Sequence, residues 1–197
     1  MNPVTHMLAG WVVANAAGLD RRDRMIVTAA SVAPDIDGLG LIVDFATRSG
    51  GSPTQWFAEY HHVLTHNLLF ALLVGGASLL LARRRGLTVF LVLFVFHLHL
   101  LGDLVGARGP APEGYQWPIS YLWPVSEAAA WTWKGQWELN AWPNFLITIA
   151  TLMLTIFLAW KRGYSPLEMV SRKADNAFVT TLRNRFGDHD PVTGDIS

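Results

Sequence analysis

The chain is built from apolar blocks of near-membrane length. Residues 63–82, 86–102 and 139–160 contain no Asp, Glu, Lys or Arg. Each approaches the ~20 residues that carry a helix across a hydrocarbon core ~30 Å thick. Two weaker blocks precede them, 4–19 and 25–45, and the second is interrupted by Pro34, Asp35, Ile36 and Asp37. A proline followed by two acids breaks a helix, and broken backbone at membrane depth survives only where protein or a wet cavity shelters it. The pattern predicts an all-α fold: a multi-pass transmembrane helical bundle of about five spans, the second broken at PDID. The break is itself a candidate site.

Before the last block, residues 107–142 are rich in Trp, Pro and Gly and include Trp117, Trp123, Trp131, Trp133, Trp137 and Trp142. Indole rings favour the headgroup level, where an apolar face and one N–H are both satisfied. The segment is therefore expected to lie over the outer membrane surface as a lid, its rings serving as anchors rather than as a ligand platform. After Lys161 the periodicity changes. Ser165 as N-cap, Pro166 at the first helical position, Glu168 completing a capping box and Gly187 at the end frame a helix. Leu167, Val170, Ala174, Phe178, Leu182 and Phe186 recur at helical spacing, with Arg172, Lys173, Arg183 and Arg185 elsewhere on its surface. That describes an amphipathic helix on the cytoplasmic face. The organisation expected is a transmembrane helical domain over 1–162, the interfacial helix over 163–187 and a disordered tail over 188–197, where His189 is solvated.

Composition agrees with a membrane protein: 51% of residues are hydrophobic, 15% are charged, and mean hydropathy is +0.28. Formal net charge is zero, so no global basic field points to nucleic acid. The absence of cysteine excludes disulfides, thiolate nucleophiles and Cys-type zinc sites, leaving His, Asp and Glu as the strong metal ligands. The N-terminus lacks the basic region and cleavage motif of a signal peptide and reads as part of the mature chain. Charge placement sets orientation. With five alternating spans, twelve Lys and Arg fall on the cytoplasmic side, and only Arg48, Arg108 and Lys134 fall outside. That asymmetry predicts N-out, C-in, with a cytoplasmic C-terminus.

Six of the seven histidines lie in the first 103 residues: His6, His61, His62, His66, His97 and His99. Asp35, Asp37 and Asp103 are near them in sequence or in expected depth. Counted from the cytoplasmic arginines at ~1.5 Å per helical residue, His6 lies ~22 Å, Asp35 ~16 Å, His66 ~26 Å and His99 ~21 Å deep. Four segments thus bring ionisable groups to a similar level in the outer half of the bilayer. Such groups are expensive there and are usually paired, wet or functional. His99 and Asp103 are one helical turn apart and can chelate one ion, with Gly102 leaving room, while His97 points elsewhere as support or packing. His61 and His66 suit a helix entry, and Thr65 can bond a neighbouring ligand. The two-residue spacing of Asp35 and Asp37 suits one ligand and one bridging or supporting carboxylate.

The ordered set Thr5-His6 with Gly10, PDID, HHVLTHN (61–67), HLLGD (99–103) and Trp123-Pro124 resembles the bacterial membrane-bound metal-dependent hydrolases of the DUF457 type, over roughly residues 5–125. In the family pattern H-R-x-x-T-H-S, His62 stands for the arginine and Asn67 for the serine. More distantly, H-x-x-G-D is similar to the zinc-dependent phospholipase C and P1 nuclease group. The resemblance implies an inner-membrane metal-dependent hydrolase holding one or two divalent ions, Zn²⁺ first among them. The metal set would be drawn from His6, Asp35, Asp37, His61, His66, His99 and Asp103. Asp37 or His61, whichever stays off the metal, would act as the catalytic base. The expected reaction is hydrolysis of an ester or phosphoester, with a membrane lipid as environment and possible substrate. The alternatives are a proton relay or transporter using the same residues, and a scaffold with a structural metal. Oligomeric state is not legible.

Overall fold

The structure is a computed structural model that describes residues 1–109 and 116–187; the tail expected over 188–197, with His189, and residues 110–115 of the expected lid lie outside the described residues. The chain is mostly helical. In order it forms α1 (Pro3–Ala16), α2 (Arg21–Ala30), a 3₁₀ turn (Pro34–Leu39), α3 (Gly40–Thr47), α4 (Trp56–Tyr60), α5 (Leu68–Leu81) and α6 (Arg85–Gly106). It continues with β1 (Ile119–Ser120), β2 (Ala130–Trp131), α7 (Trp142–Arg162), a second 3₁₀ turn (Pro166–Met169) and α8 (Arg172–Phe186). The two strands form an antiparallel ribbon pairing Ile119 with Trp131 and Ser120 with Ala130.

Of the five expected spans, two or three are matched by helices of the required length and hydropathy. Among the described residues, α6 (22 residues) and α7 (21 residues) are long and apolar enough to cross a membrane. A third candidate is α2 with the segment Pro34–Thr47, bent by 58° at the break. Helix α5 is apolar but has only 14 residues, ~21 Å of rise. Asn67 shortens it: its side chain accepts from the Phe70 N–H, and its amide donates to the carbonyls of Val63 and Leu64, holding 63–67 in a turn. Block 4–19 is helical but interior. Helix α1 buries Thr5, His6, Leu8, Gly10, Trp11, Ala14 and Asn15 and packs on α2, α6 and α7.

Helix α6 is the spine. It buries Leu91, Val92, Val95, Phe96, His99, Leu100 and Asp103, an i, i+3/i+4 stripe that continues straight from core into site. Ala14, Leu19, Val27 and Ala30 pack on its first half, and Ala71 and Ile119 on its second. The outer faces are apolar: Phe145, Ile149 and Met153 of α7 and Leu72, Leu73 and Leu80 of α5 are exposed, as lipid-facing residues are. With no water to expel between helices in lipid, close packing of small residues carries association. At Gly10 a β-carbon would fall on the Ser31 side chain, so α1 and α2 cross only because Gly10 has none.

The helix expected from Ser165 to Gly187 is divided. Ser165 does accept from the Leu167 N–H, but Glu168 turns inward instead of closing a capping box. Its carboxylate takes Arg24 Nε and Nη2 at 2.7 Å each. Ser171 then caps α8 separately, accepting from the Ala174 N–H.

Candidate metal centre

Four segments meet at the end of the bundle opposite the arginines. Helix α6 supplies His99 and Asp103, with His99 Nε2 2.9 Å from Asp103 Oδ2. The turn held by Asn67 supplies His61, His62 and His66. The PDID turn supplies Asp35 and Asp37, and α1 supplies His6. Gly102 gives the room its size suggested, since a β-carbon there would lie 3.0 Å from the His6 ring.

Ligand atoms of Asp35, His66, His99 and Asp103 gather within 4.8 Å of one another, and those of His61, His62 and His66 form a second such group. His66 Nε2 lies 3.2 Å from His99 Nε2 and 3.4 Å from Asp103 Oδ2, and His99 Nε2 lies 3.6 Å from Asp35 Oδ1. Asp37 stands behind this group rather than in it. Its Oδ1 takes His61 Nδ1 at 2.6 Å, and its Oδ2 takes His66 Nδ1 at 3.1 Å and the Thr65 N–H at 3.2 Å. His6 is likewise behind: its Nε2 is 3.1 Å from Asp103 Oδ1, and its ring stacks on His99 at 3.6 Å between centroids. The Met1 amine also contacts Asp103 Oδ1.

Hydrogen bonding fixes the tautomers. His99 Nδ1 is 2.8 Å from the Ser31 carbonyl, which can only accept, so Nδ1 carries the proton. Ser31 is pinned in turn, its hydroxyl donating to the His6 carbonyl at 2.9 Å where Gly10 lets the helices touch. His66 donates through Nδ1 to Asp37 by the same logic. In their neutral forms both Nε2 atoms present lone pairs toward each other and toward the carboxylates of Asp35 and Asp103. Asp35 Oδ2, Asp103 Oδ2 and both His62 ring nitrogens are buried with no hydrogen-bond partner. The inward-facing carboxylate oxygens beside the histidines fit a divalent cation, and the carboxylate behind His66 and the carbonyl behind His99 are the usual outer shell of a metal ligand.

His62 is the residue the sequence reading passed over. It is fully buried at φ +72°, its Nε2 is 3.9 Å from Asp103 Oδ2, and its ring packs against Trp117 at 4.5 Å. The only signal was the His61-His62 doublet. Trp117 corrects the anchor reading of its segment, because it packs over His61 and His62 instead of pointing outward. Gln136 fastens that roof, accepting from the Trp117 N–H at 2.8 Å and donating to the Asp103 carbonyl at 2.9 Å. His97 supports the roof from outside the cluster. It donates through Nδ1 to the Leu93 carbonyl and accepts at Nε2 from the Tyr121 hydroxyl at 2.9 Å. Burial pushes the Tyr121 phenol above its ordinary range, which keeps that donor protonated.

Fold and site together define a helical membrane protein with a buried His/Asp cluster at one end of its bundle. The chain matches the family model described as YdjM inner membrane protein over residues 1–180 and belongs to that family. Nothing matches it among curated proteins or among solved structures.

Proposed function

We propose that the chain is a metal-dependent hydrolase of the inner membrane, with Zn²⁺ as the first candidate ion, acting on an ester or phosphoester such as a lipid headgroup. The observation that carries this reading is the His66–His99 pair: two Nε2 lone pairs 3.2 Å apart, beside the carboxylates of Asp35 and Asp103. That arrangement calls for positive charge at its centre, a metal ion or a proton, and the four converging ligand atoms fit the ion. The resemblance to DUF457-type hydrolases, and more distantly to zinc-dependent phospholipase C and P1 nuclease, supplies the reaction class.

Asp35, His66, His99 and Asp103 would hold the ion, with His62 beside them. A divalent ion there supplies Lewis acidity toward an ester or phosphoryl oxygen and toward water. Asp37 orients His66 and His61 through their Nδ1 protons, leaving His61 Nε2 as the base that takes the proton of the attacking water. His6 holds Asp103 through its other oxygen. Trp117 covers His61 and His62 and limits water at the cluster. The arginine asymmetry favours a cluster facing the outer side, with α8 on the cytoplasmic side.

The test is hydrolysis of phospholipids and of simple phosphodiester and carboxylic esters by the zinc-loaded protein, with Asp103→Asn and His61→Ala as controls. Turnover by the wild type, lost in both variants, is the expected result. Metal binding without turnover on any ester overturns the hydrolase reading.

A second reading, proton relay or transport, is favoured by α1 and α7. Asn15, with both amide atoms unpartnered, and the hydroxyl of Thr155 continue buried polarity beyond the cluster. Proton or metal-ion flux into liposomes without ester turnover would select this reading.

A further inference from the structure

The arginine end of the bundle holds a second feature, independent of the metal cluster. A cleft of about 490 Å³ is lined by Arg21, Arg22, Arg83 and Arg172, with Met25, Ile26 and Leu81 on its inner wall. Ile26 and Leu81 also line a second, almost purely apolar groove between α2 and α5, which passes Ala29, Ala33 and Ala77 and ends at Ile36. The two adjoin at Ile26 and Leu81, giving a slot with a basic mouth and an apolar length. Helix α2 alone gives it ~15 Å.

The mouth carries excess positive charge. Arg83 is 3.5 Å from Asp20, and Arg21 contacts Glu168, a carboxylate already bound to Arg24. Arg22 and Arg172 form no salt bridge among the described residues. A site for a soluble anion has no need of the groove, and a site for an apolar molecule has no need of four guanidiniums. Basic pockets between membrane helices that open onto apolar surface match the two halves of an anionic phospholipid.

We infer that this slot binds an anionic phospholipid, its phosphate at Arg22 and Arg172 and one acyl chain along the α2–α5 groove. The alanines at 29, 33 and 77 leave the chain its space.

The test is native mass spectrometry of the detergent-purified full chain, titrated with phosphatidylglycerol and with phosphatidylcholine of identical acyl chains. Three proteins are compared: the wild type, Arg22→Gln/Arg172→Gln, and Ala77→Phe to fill the groove from its exposed side. Wild type is expected to hold phosphatidylglycerol in preference to phosphatidylcholine. The double variant is expected to weaken that binding by roughly thirtyfold, the worth of two basic groups at an anionic surface. Ala77→Phe is expected to weaken both lipids alike. Equal binding of both lipids by wild type, or no loss in the double variant, overturns the proposal. So does competition by millimolar inorganic phosphate as effective as lipid, which would mark a free-anion site. Zinc content measured on the same samples is expected to be unchanged, so failure here and failure of the hydrolase reading are separable.

Discussion

His66 and His99 face each other through Nε2 at 3.2 Å while both Nδ1 protons are committed, one to Asp37 and the other to the Ser31 carbonyl. This relationship favours positive charge between the rings, which a divalent ion would supply. With both Nδ1 protons committed, a hydrogen bond between the rings needs one additional proton, whereas a metal ion needs none. The carboxylates of Asp35 and Asp103 add negative potential from the same side. Everything around the pair favours positive charge at its centre.

Metal should therefore stabilise the fold. Chelator treatment of the purified protein is expected to lower its thermal unfolding temperature, and Zn²⁺ to restore it. Occupancy at a hundredfold excess over Kd contributes about 2.7 kcal/mol. His99→Ala should abolish the Zn²⁺-dependent shift and the bound metal measured by plasma mass spectrometry. A shift of wild-type size in His99→Ala would remove His99 from the site.

Asp37 would act on a bound ion through His66, so its loss should show in affinity before it shows in structure. Asp37→Asn keeps the shape but removes the charge that both histidines lean on. Changes of this kind typically weaken metal binding by about 10–100-fold. Competition with a fluorescent zinc chelator, set beside the circular dichroism of the variant, measures both effects. Unchanged affinity would leave Asp37 as packing only.

Gly10 and Ser31 are coupled by contact. In Gly10→Ala the new methyl falls on the Ser31 side chain, and relieving it moves the carbonyl that orients His99. Overpacking of this kind costs about 1–3 kcal/mol. The variant is expected to lose stability and zinc affinity together. Ser31→Gly in the same chain is expected to recover both, because it removes the side chain struck while keeping the carbonyl. A double variant no better than Gly10→Ala would place the damage elsewhere.

Much of the site was legible because helical rise is constant. Counting residues from the arginines placed His6, Asp35, His66 and His99 at one level, and the structure brings those segments together. The count carried no information about rank within the cluster. That Asp37 and His6 stand behind the ligand group depends on the 3₁₀ geometry of PDID and on where α1 packs. His62 was hidden because its place follows from a left-handed backbone at φ +72°, which sequence spacing does not encode. The number of spans was less legible for a related reason. Hydropathy cannot distinguish an apolar helix that faces lipid from one, such as α1, that fills the bundle, and it ignored the capping chemistry of Asn67.

Glu168 was read as a capping residue and is instead half of a buried ion pair, which makes it the sharpest test of how the C-terminal segment attaches. Arg24 offers Nε and Nη2 to the two carboxylate oxygens, donates through Nη1 to the Leu19 carbonyl at 2.7 Å, and lies over the Tyr164 ring at 3.6 Å. Removing the carboxylate leaves a buried guanidinium with its main partner gone, at a cost of about 3–5 kcal/mol. Glu168→Ala should therefore destabilise the protein and free α8, raising protease cleavage after Lys173 and Arg183. Replacing both partners by apolar residues, Arg24→Met with Glu168→Leu, removes the stranded charge and should recover most of the stability. Thermal unfolding and limited trypsin digestion of the three proteins measure this. If Glu168→Ala unfolds and digests as the wild type does, the pair does not hold the C-terminal segment to the bundle.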